Sequence, residues 1–387
     1  MDYKLPAELF RDIPTPFYYY DMSLLADTLA LIQRAKGDDT FQIHYAVKAC
    51  VDRPVLEMIA RCGFGADVVS GGELDVALQR GFRAEDIVFA GVGKSDAEIV
   101  KALDAGIGCF NVESLEELEV IEEIAAGKGM VADVALRVNP EIDAHTHHYI
   151  TTGLAENKFG IAMQMLDAAV SKCLSSGHLA LKGLHFHIGS QITDLTPYKI
   201  LCERVNRLQE TLAGKGVKLE AINVGGGLGI DYDDPDRHPF APFEEYFRVF
   251  RDNLVVRDGQ KVHFELGRAV VAQCGSLVTR VLYVKKGVEK EFVVVDAGMT
   301  DLIRPALYQA HHVIQNLTST AEEKRAYDVV GPICESSDVF AEKELLPLTR
   351  RGDLLALRSA GAYGRIMASR YNCRPIAEAV FSQESVG

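Results

Sequence analysis

No run of apolar residues in this chain approaches the ~18 that a membrane-spanning helix needs, so a helical span is excluded. The opening stretch, MDYKLPAELFRD, lacks the basic-then-apolar plan of a secretory signal, which makes the cytoplasm the expected location. The eight cysteines (50, 62, 109, 173, 202, 274, 334 and 373) include no C-x-x-C pair, and a chain this long needs no covalent staples, so reduced thiols are expected. Basic residues are in deficit: Lys plus Arg number 41 against 55 Asp plus Glu, and the net charge of −14 argues against nucleic acid or an anionic membrane surface as a partner. An anionic ligand must then be met by local basic groups.

What the chain does contain is ample apolar material, 48% of 387 residues, more than one core usually serves. One alternation recurs along its first two thirds. Short β-rich runs end in Gly, Asn or Ser and hand over to helical patterns: FQIHYAVKA then PVLEMIARCG, FGADVVS then GGELDVALQRG, DIVFAG then SDAEIVKALDAG, GCFNVES then LEELEVIEEIAAGKG. DVALRVNP, LKGLHFHIG, AINVGGG and KVHFELGR supply four more strands, and MSLLADTLALIQRAKG a helix before the first. Eight strands separated by helices or long loops predict an α/β fold, a (β/α)8 TIM-like barrel over residues 25–270. After about residue 270 strand-like runs with turn signals dominate, and the β-prone TPFYYYD near the N-terminus fits with them. Residues 1–24 and 271–387 are therefore expected to form a second, mostly β domain, a sandwich or barrel.

Chemistry in such a barrel sits at the C-terminal ends of its strands. Lys48 interrupts what reads as a buried strand, and a lysine is almost never buried without a partner; it is either a rim lysine that snorkels or a working amine. Asp67, HFHIGSQ, NVGGGLG and FELGR fall at other strand exits. Gly225, Gly226 and Gly227 make either a tight turn or a loop whose backbone can approach a phosphate. His185 and His187 alternate on one strand face, where one can be a satisfied core histidine and one can stack on a flat ring. His145, His147 and His148 tempt a metal reading, but no carboxylate cluster or C-x-x-C accompanies them, so no metal is expected. An amine for a covalent link, a glycine loop for a phosphate, an aromatic face and Glu265 on the last strand are what pyridoxal 5'-phosphate needs. A carboxylate against the ring nitrogen keeps it protonated and able to accept electrons.

The stretches YAVKA, NKFGI, GLHFHIGSQI, NVGGGLGI, ELGR, DAGMTDLIRPALYQAHH, GPICESSDVF and GAYGRIMASRYNCRP resemble, in order and spacing, the barrel-type pyridoxal-phosphate decarboxylases, most closely the diaminopimelate decarboxylases. Two departures are a leucine, Leu266, where the family has the proline of E-P-G-R, and a rather short chain. The resemblance implies that Lys48 holds the cofactor covalently, with Asp67 near it, His187 stacked on the ring and Glu265 at its nitrogen. Ser190, Gly227, Gly267, Arg268 and Tyr363 would surround the phosphate, with Gly225 and Gly226 in the same loop. Arg268, Arg304, Tyr308 and Tyr363 would hold the substrate's distal carboxylate, Arg304 and Tyr308 being one helical turn apart. Cys334, as proton donor, and Glu335, as partner for the distal ammonium, would come from the second subunit of a homodimer with shared sites. The implied reaction turns meso-2,6-diaminopimelate into L-lysine and carbon dioxide. A decarboxylase of ornithine, lysine or carboxynorspermidine, and a catalytically inactive regulatory relative, are the alternatives.

Overall fold

The computed structural model describes residues 3–140, 142 and 158–383; His145, His147 and His148 lie outside them. Among the described residues no helix is long and apolar enough to cross a membrane, and no cluster of three or more His, Cys, Asp or Glu could hold a metal ion.

The first strand, β1 (Phe17–Tyr20), is not part of the barrel. The next eight, β2 (Phe41–Ala46), β3 (Gly65–Val68), β4 (Ile87–Phe89), β5 (Cys109–Val112), β6 (Ala132–Arg137), β7 (Leu179–His185), β8 (Ala221–Asn223) and β9 (Lys261–Leu266), pair in parallel and close into a barrel as the alternation predicts. β9 returns to β2 with His44 opposite Glu265. These strands read as near-continuous apolar runs because helices cover their outer face and side chains fill the inner one. The covering helices include Arg53–Arg61, Gly71–Gln79, Asp96–Ala105 and Leu115–Gly127. Their starts are written in the sequence. Ser70 and Ser114 each accept the backbone N–H three residues on, from Glu73 and Glu117, and Ser95 with Glu98 forms a full capping box.

The chain divides into two compact units, one of Leu29–Gly229 and Pro242–Gly267, which holds the barrel, and one of Met1–Thr28, Ile230–Ala241 and Arg268–Gly387. Residues 230–241, which the alternation puts in the barrel domain, group with the second unit. DYDDPDRHPF carries no helical period, and its backbone is held there: Gln273 donates to the Asp231 carbonyl at 2.8 Å.

In this second unit the strands are β10 (Gly275–Lys286), β11 (Glu291–Val295), β12 (Ile314–Asn316), β13 (Lys324–Val330), β14 (Val339–Pro347), β15 (Leu354–Leu357) and β16 (Glu378–Phe381). They run in the order β12-β15-β10-β11-β13-β14, and β1 joins between β10, antiparallel to it, and β16, parallel to it. That double pairing explains why all four residues of β1 are buried. Phe10, Phe17, Tyr19, Val278 and Leu354 pack together as one core cluster of the unit.

Candidate active site

The C-terminal mouth of the barrel gathers polar side chains from several strands. Glu265, on β9, is buried and accepts three hydrogen bonds: from Asn111 Nδ2 on β5 (2.9 Å), from Asn223 Nδ2 on β8 (2.7 Å) and from His185 Nε2 on β7 (3.0 Å). Burial would push its pKa up, but the hydrogen-bonded His185 imidazole and the Lys48 charge outweigh that and hold it well below the usual carboxylate range. Asp67, on β3, is buried nearby and moves the opposite way, raised by burial and by the Glu265 charge, with Lys48 pulling against them. Two carboxylates in one dry pocket do not ionise together easily, and the hydrogen bonds decide that Glu265 carries the charge.

Lys48 does not sit in the strand. β2 stops at Ala46, and Lys48 lies in the 3₁₀ turn Val47–Ala49 that follows. Val47 and Ala49 are fully buried, while the Lys48 side chain is 40% exposed and its Nζ is 3.4 Å from Asp67 Oδ2. The amine thus has both a partner and a route to the open mouth.

His185 and His187 part company in the same way. His185 closes β7 and is the hydrogen-bonded core histidine, whereas His187 lies two residues beyond and its Nδ1 accepts the Gly226 N–H at 3.3 Å. Burial and the nearby Arg137 and Lys48 keep its pKa well below the ordinary value, so the ring is neutral. Of the three loop glycines, Gly225 donates its N–H to Asn223 Oδ1 (2.9 Å) and Gly226 to His187. These two are therefore present for space: a Cβ on Gly225 would strike the Phe186 carbonyl and one on Gly226 the Glu265 carbonyl. Gly227, at φ +101°, keeps an N–H that makes no hydrogen bond among the described residues. Its loop is fixed, because Ile192 donates to the Gly227 carbonyl and Gly229 to the Ile192 carbonyl, both at 2.9 Å. Ser190 is half-buried in the facing segment, and Gly267 follows β9 directly.

The roles of Asn111, Asn223 and Glu113 were not apparent from the sequence. Glu113, the residue that follows β5, accepts from Arg137 (2.6 Å), the Gly91 N–H (3.1 Å) and the Gly160 N–H (2.9 Å), which ties three strand exits together. The available signal was an Asn within or ending a barrel strand, a residue depleted from strands. Among the described residues, buried Asp67 Oδ1 and His185 Nδ1 have no hydrogen-bond partner. With an amine at the mouth, an ionised carboxylate beneath it and a glycine loop no side chain could occupy, these unmet groups fit a flat, phosphorylated aldehyde with a ring nitrogen.

The second unit has its own cluster. Arg268 and Arg304, both buried, each donate an Nη1 hydrogen to the hydroxyl of Tyr232, at 2.7 and 2.8 Å. Arg304 also lies over the Tyr232 ring, 4.9 Å from its centroid, and Arg268 over the Tyr363 ring at 5.0 Å. Burial would raise the Tyr232 pKa, yet the two guanidiniums bring it below its ordinary value. Arg304 forms no salt bridge among the described residues, so the cluster favours an anion. Tyr308 ends the short helix Arg304–Tyr308 and interacts electrostatically with Arg268. Tyr232 lies in the 230–241 excursion and was missed. Cys334 and Glu335 are exposed, the former donating its N–H to Asn372 Oδ1 (3.0 Å), the latter accepting from Tyr371 (2.6 Å).

A parallel eight-stranded barrel with a lysine at its mouth and a buried, ionised carboxylate beneath defines a pyridoxal-phosphate enzyme of the barrel type. Residues 26–272 match the family model described as the pyridoxal-dependent decarboxylase, pyridoxal binding domain. The chain is 56% identical over 382 residues to the diaminopimelate decarboxylase of Bacteroides thetaiotaomicron, covering 98% of this chain and 99% of that one. The crystal structure of diaminopimelate decarboxylase from Helicobacter pylori, complexed with L-lysine, superposes with a TM-score of 0.92 at 40% identity, covering 98% of this chain and 94% of that one. The lysine/ornithine decarboxylase of Vibrio vulnificus, at a TM-score of 0.85 but 22% identity over 97% of each chain, shares the fold. The chain belongs to the pyridoxal-dependent decarboxylases, in the diaminopimelate decarboxylase family, and pyridoxal phosphate is its cofactor.

The opposed shifts in the mouth give a test. Asp67 binds its proton more tightly folded than unfolded, so the unfolded chain releases it first as pH rises. Stability of the cofactor-free protein therefore declines as pH climbs from the ordinary carboxylate range toward the raised Asp67 value. Thermal melts across pH should show that decline in the parent and a flatter profile in Asp67→Asn; parallel profiles would contradict the assignment.

Proposed function

We propose that this protein decarboxylates meso-2,6-diaminopimelate to L-lysine and carbon dioxide, the last step of lysine biosynthesis. The observation that carries the reaction type is the ionised Glu265, held by three donors in the barrel mouth that also contains Lys48. When bound, pyridoxal phosphate supplies a protonated ring that takes up the electron pair left at the substrate's α-carbon as carbon dioxide departs. Lys48 holds the cofactor through its amine and yields its place to the substrate's amino group, with Asp67 beside it. Glu265 keeps the proton on the ring nitrogen, and His187, being neutral, offers its ring face. Gly227, Ser190, Gly267, Arg268 and Tyr363 receive the phosphate, and of the three loop glycines Gly227 is the one with an N–H to give.

The names of the relatives and the L-lysine in the Helicobacter pylori complex support the substrate. Diaminopimelate ends in a carboxylate as well as an ammonium. Arg304, together with Arg268, Tyr308 and Tyr363, serves the carboxylate. Ornithine and lysine end in an ammonium alone and would leave the Arg304 guanidinium unpaired and buried, a poor outcome for a charge.

The homodimer belongs to the same proposal. Exposed Cys334 and Glu335 act on the other subunit's substrate, Cys334 returning a proton to the α-carbon and Glu335 pairing with the distal ammonium. The cytoplasm is the proposed compartment, where eight free cysteines stay reduced.

Lys48→Ala should fold and yet fail to turn yellow with added pyridoxal phosphate; a yellow, cofactor-saturated variant would refute the covalent role. Arg304→Ala should lose roughly a hundredfold in kcat/KM for meso-diaminopimelate, the size expected when hydrogen bonds to a charged group are removed; an unchanged value would remove Arg304 from the site. Mixing Lys48→Ala with Cys334→Ala subunits should restore activity toward about a quarter of the parent's, because half of randomly paired dimers carry one intact site of two. A mixture as inactive as its components would rule out shared sites.

A further inference from the structure

The Arg304 guanidinium has a pattern of bonds that packing alone does not require. Its Nη1 is 2.8 Å from the Tyr232 hydroxyl and 3.0 Å from His312 Nε2, so both Nη1 hydrogens are committed. Nη2 and Nε make no hydrogen bond among the described residues, although the residue is 5% exposed. A guanidinium presents its donors in a planar fork, and fixing one nitrogen fixes the plane of the rest.

His312 can serve only in one form. Because a guanidinium cannot accept, Nε2 must be the bare acceptor, and the proton sits on Nδ1, which donates to the Arg358 carbonyl at 2.8 Å. Burial, reinforced by the Arg304 charge, pushes the His312 pKa down to about 3, so the ring stays neutral. The Arg358 end is anchored in turn, its Nη1 donating to Asp236 Oδ1 (2.7 Å) and Gln315 Oε1 (2.9 Å). Tyr232 and His312 pack edge to face, their centroids 5.3 Å apart, so the two acceptors brace each other. A buried imidazole aimed at a cation costs desolvation that a leucine of similar volume would avoid.

We propose that Tyr232 and His312 are positioning residues for substrate choice: by taking both Nη1 hydrogens of Arg304 they present its Nη2–Nε edge as a bidentate fork, which selects substrates that end in a carboxylate. The inference rests on the carboxylate-ended substrate proposed above. It has His312 act through Arg304 without touching the substrate. Its effect falls on binding of the distal group, and bond cleavage at the α-carbon is left nearly alone.

The test uses the cofactor-loaded enzyme as parent, His312→Leu, His312→Gln and Tyr232→Phe, with two readouts: steady-state turnover of meso-diaminopimelate, and equilibrium binding of pimelate, the same carbon chain without amines. His312→Leu and Tyr232→Phe should each raise KM and the pimelate Kd about tenfold or more, with kcat within roughly threefold of the parent. His312→Gln, whose Oε1 can stand where Nε2 accepts, should return both constants to within about threefold of the parent's. Pimelate affinity unchanged in His312→Leu or Tyr232→Phe overturns the proposal, as does a folded His312→Gln no better than His312→Leu. Should His312→Leu fail to fold, Tyr232→Phe and His312→Gln decide by the same measures. A parent that binds pimelate through this pair but does not turn over meso-diaminopimelate would sink the substrate reading and leave the positioning role standing. A parent that does not bind pimelate would sink the positioning role.

Discussion

A carboxylate buried in a protein interior survives as an ion only if donors replace the water it has lost. Glu265 has three, and they come from β5, β7 and β8, residues as far apart in sequence as 111 and 223. The barrel's closure is what brings them together, since β9 completes the sheet only by pairing with β2. Once Glu265 holds the charge, Asp67 is pushed toward its neutral form. His187 stays neutral because burial and the nearby Arg137 and Lys48 outweigh the opposite pull of Glu265, and its ring and Asn223 fix the Gly226 and Gly225 N–H groups. The choice of a carboxylate at this position, where an arginine would leave the ring nitrogen unprotonated, is also what distinguishes an electron-withdrawing site from a weaker one.

The second unit solves a related problem with the sign reversed. Two buried guanidiniums share the oxygen of one phenol, and their excess of positive charge draws the phenol's pKa down against the effect of burial. Such an arrangement is costly unless an anion completes it. In a chain with net charge −14, an anionic ligand can be received only where positive charge is concentrated locally, and this cluster concentrates it. The neutral His312 behind Arg304 adds direction without adding charge.

Much of this was legible in the sequence, because strand and helix alternation, Ser-x-x-Glu caps and the positions of Lys48, Asp67 and Glu265 are local patterns. The composition of FYYY points to the β unit, and the strand pairs there with both β10 and β16. What was not legible is register. No local pattern says that Asn111 and Asn223 face the same carboxylate, or that β2 ends two residues before Lys48 and so turns its amine into the mouth. Tyr232 was hidden differently, in an aspartate-rich stretch with no period, where chain connectivity suggests a barrel loop but Gln273 holds the Asp231 carbonyl and Arg268 the Tyr232 hydroxyl in the second unit.

The most direct measurement compares kcat/KM of the purified, cofactor-loaded protein for meso-diaminopimelate, L-lysine and L-ornithine, with amine product and carbon dioxide quantified together. Meso-diaminopimelate should give L-lysine and carbon dioxide in equal amounts and be preferred over the other two by at least about a hundredfold, because they leave a buried guanidinium unpaired. Comparable turnover of L-ornithine or L-lysine, or no lysine from meso-diaminopimelate, would contradict it.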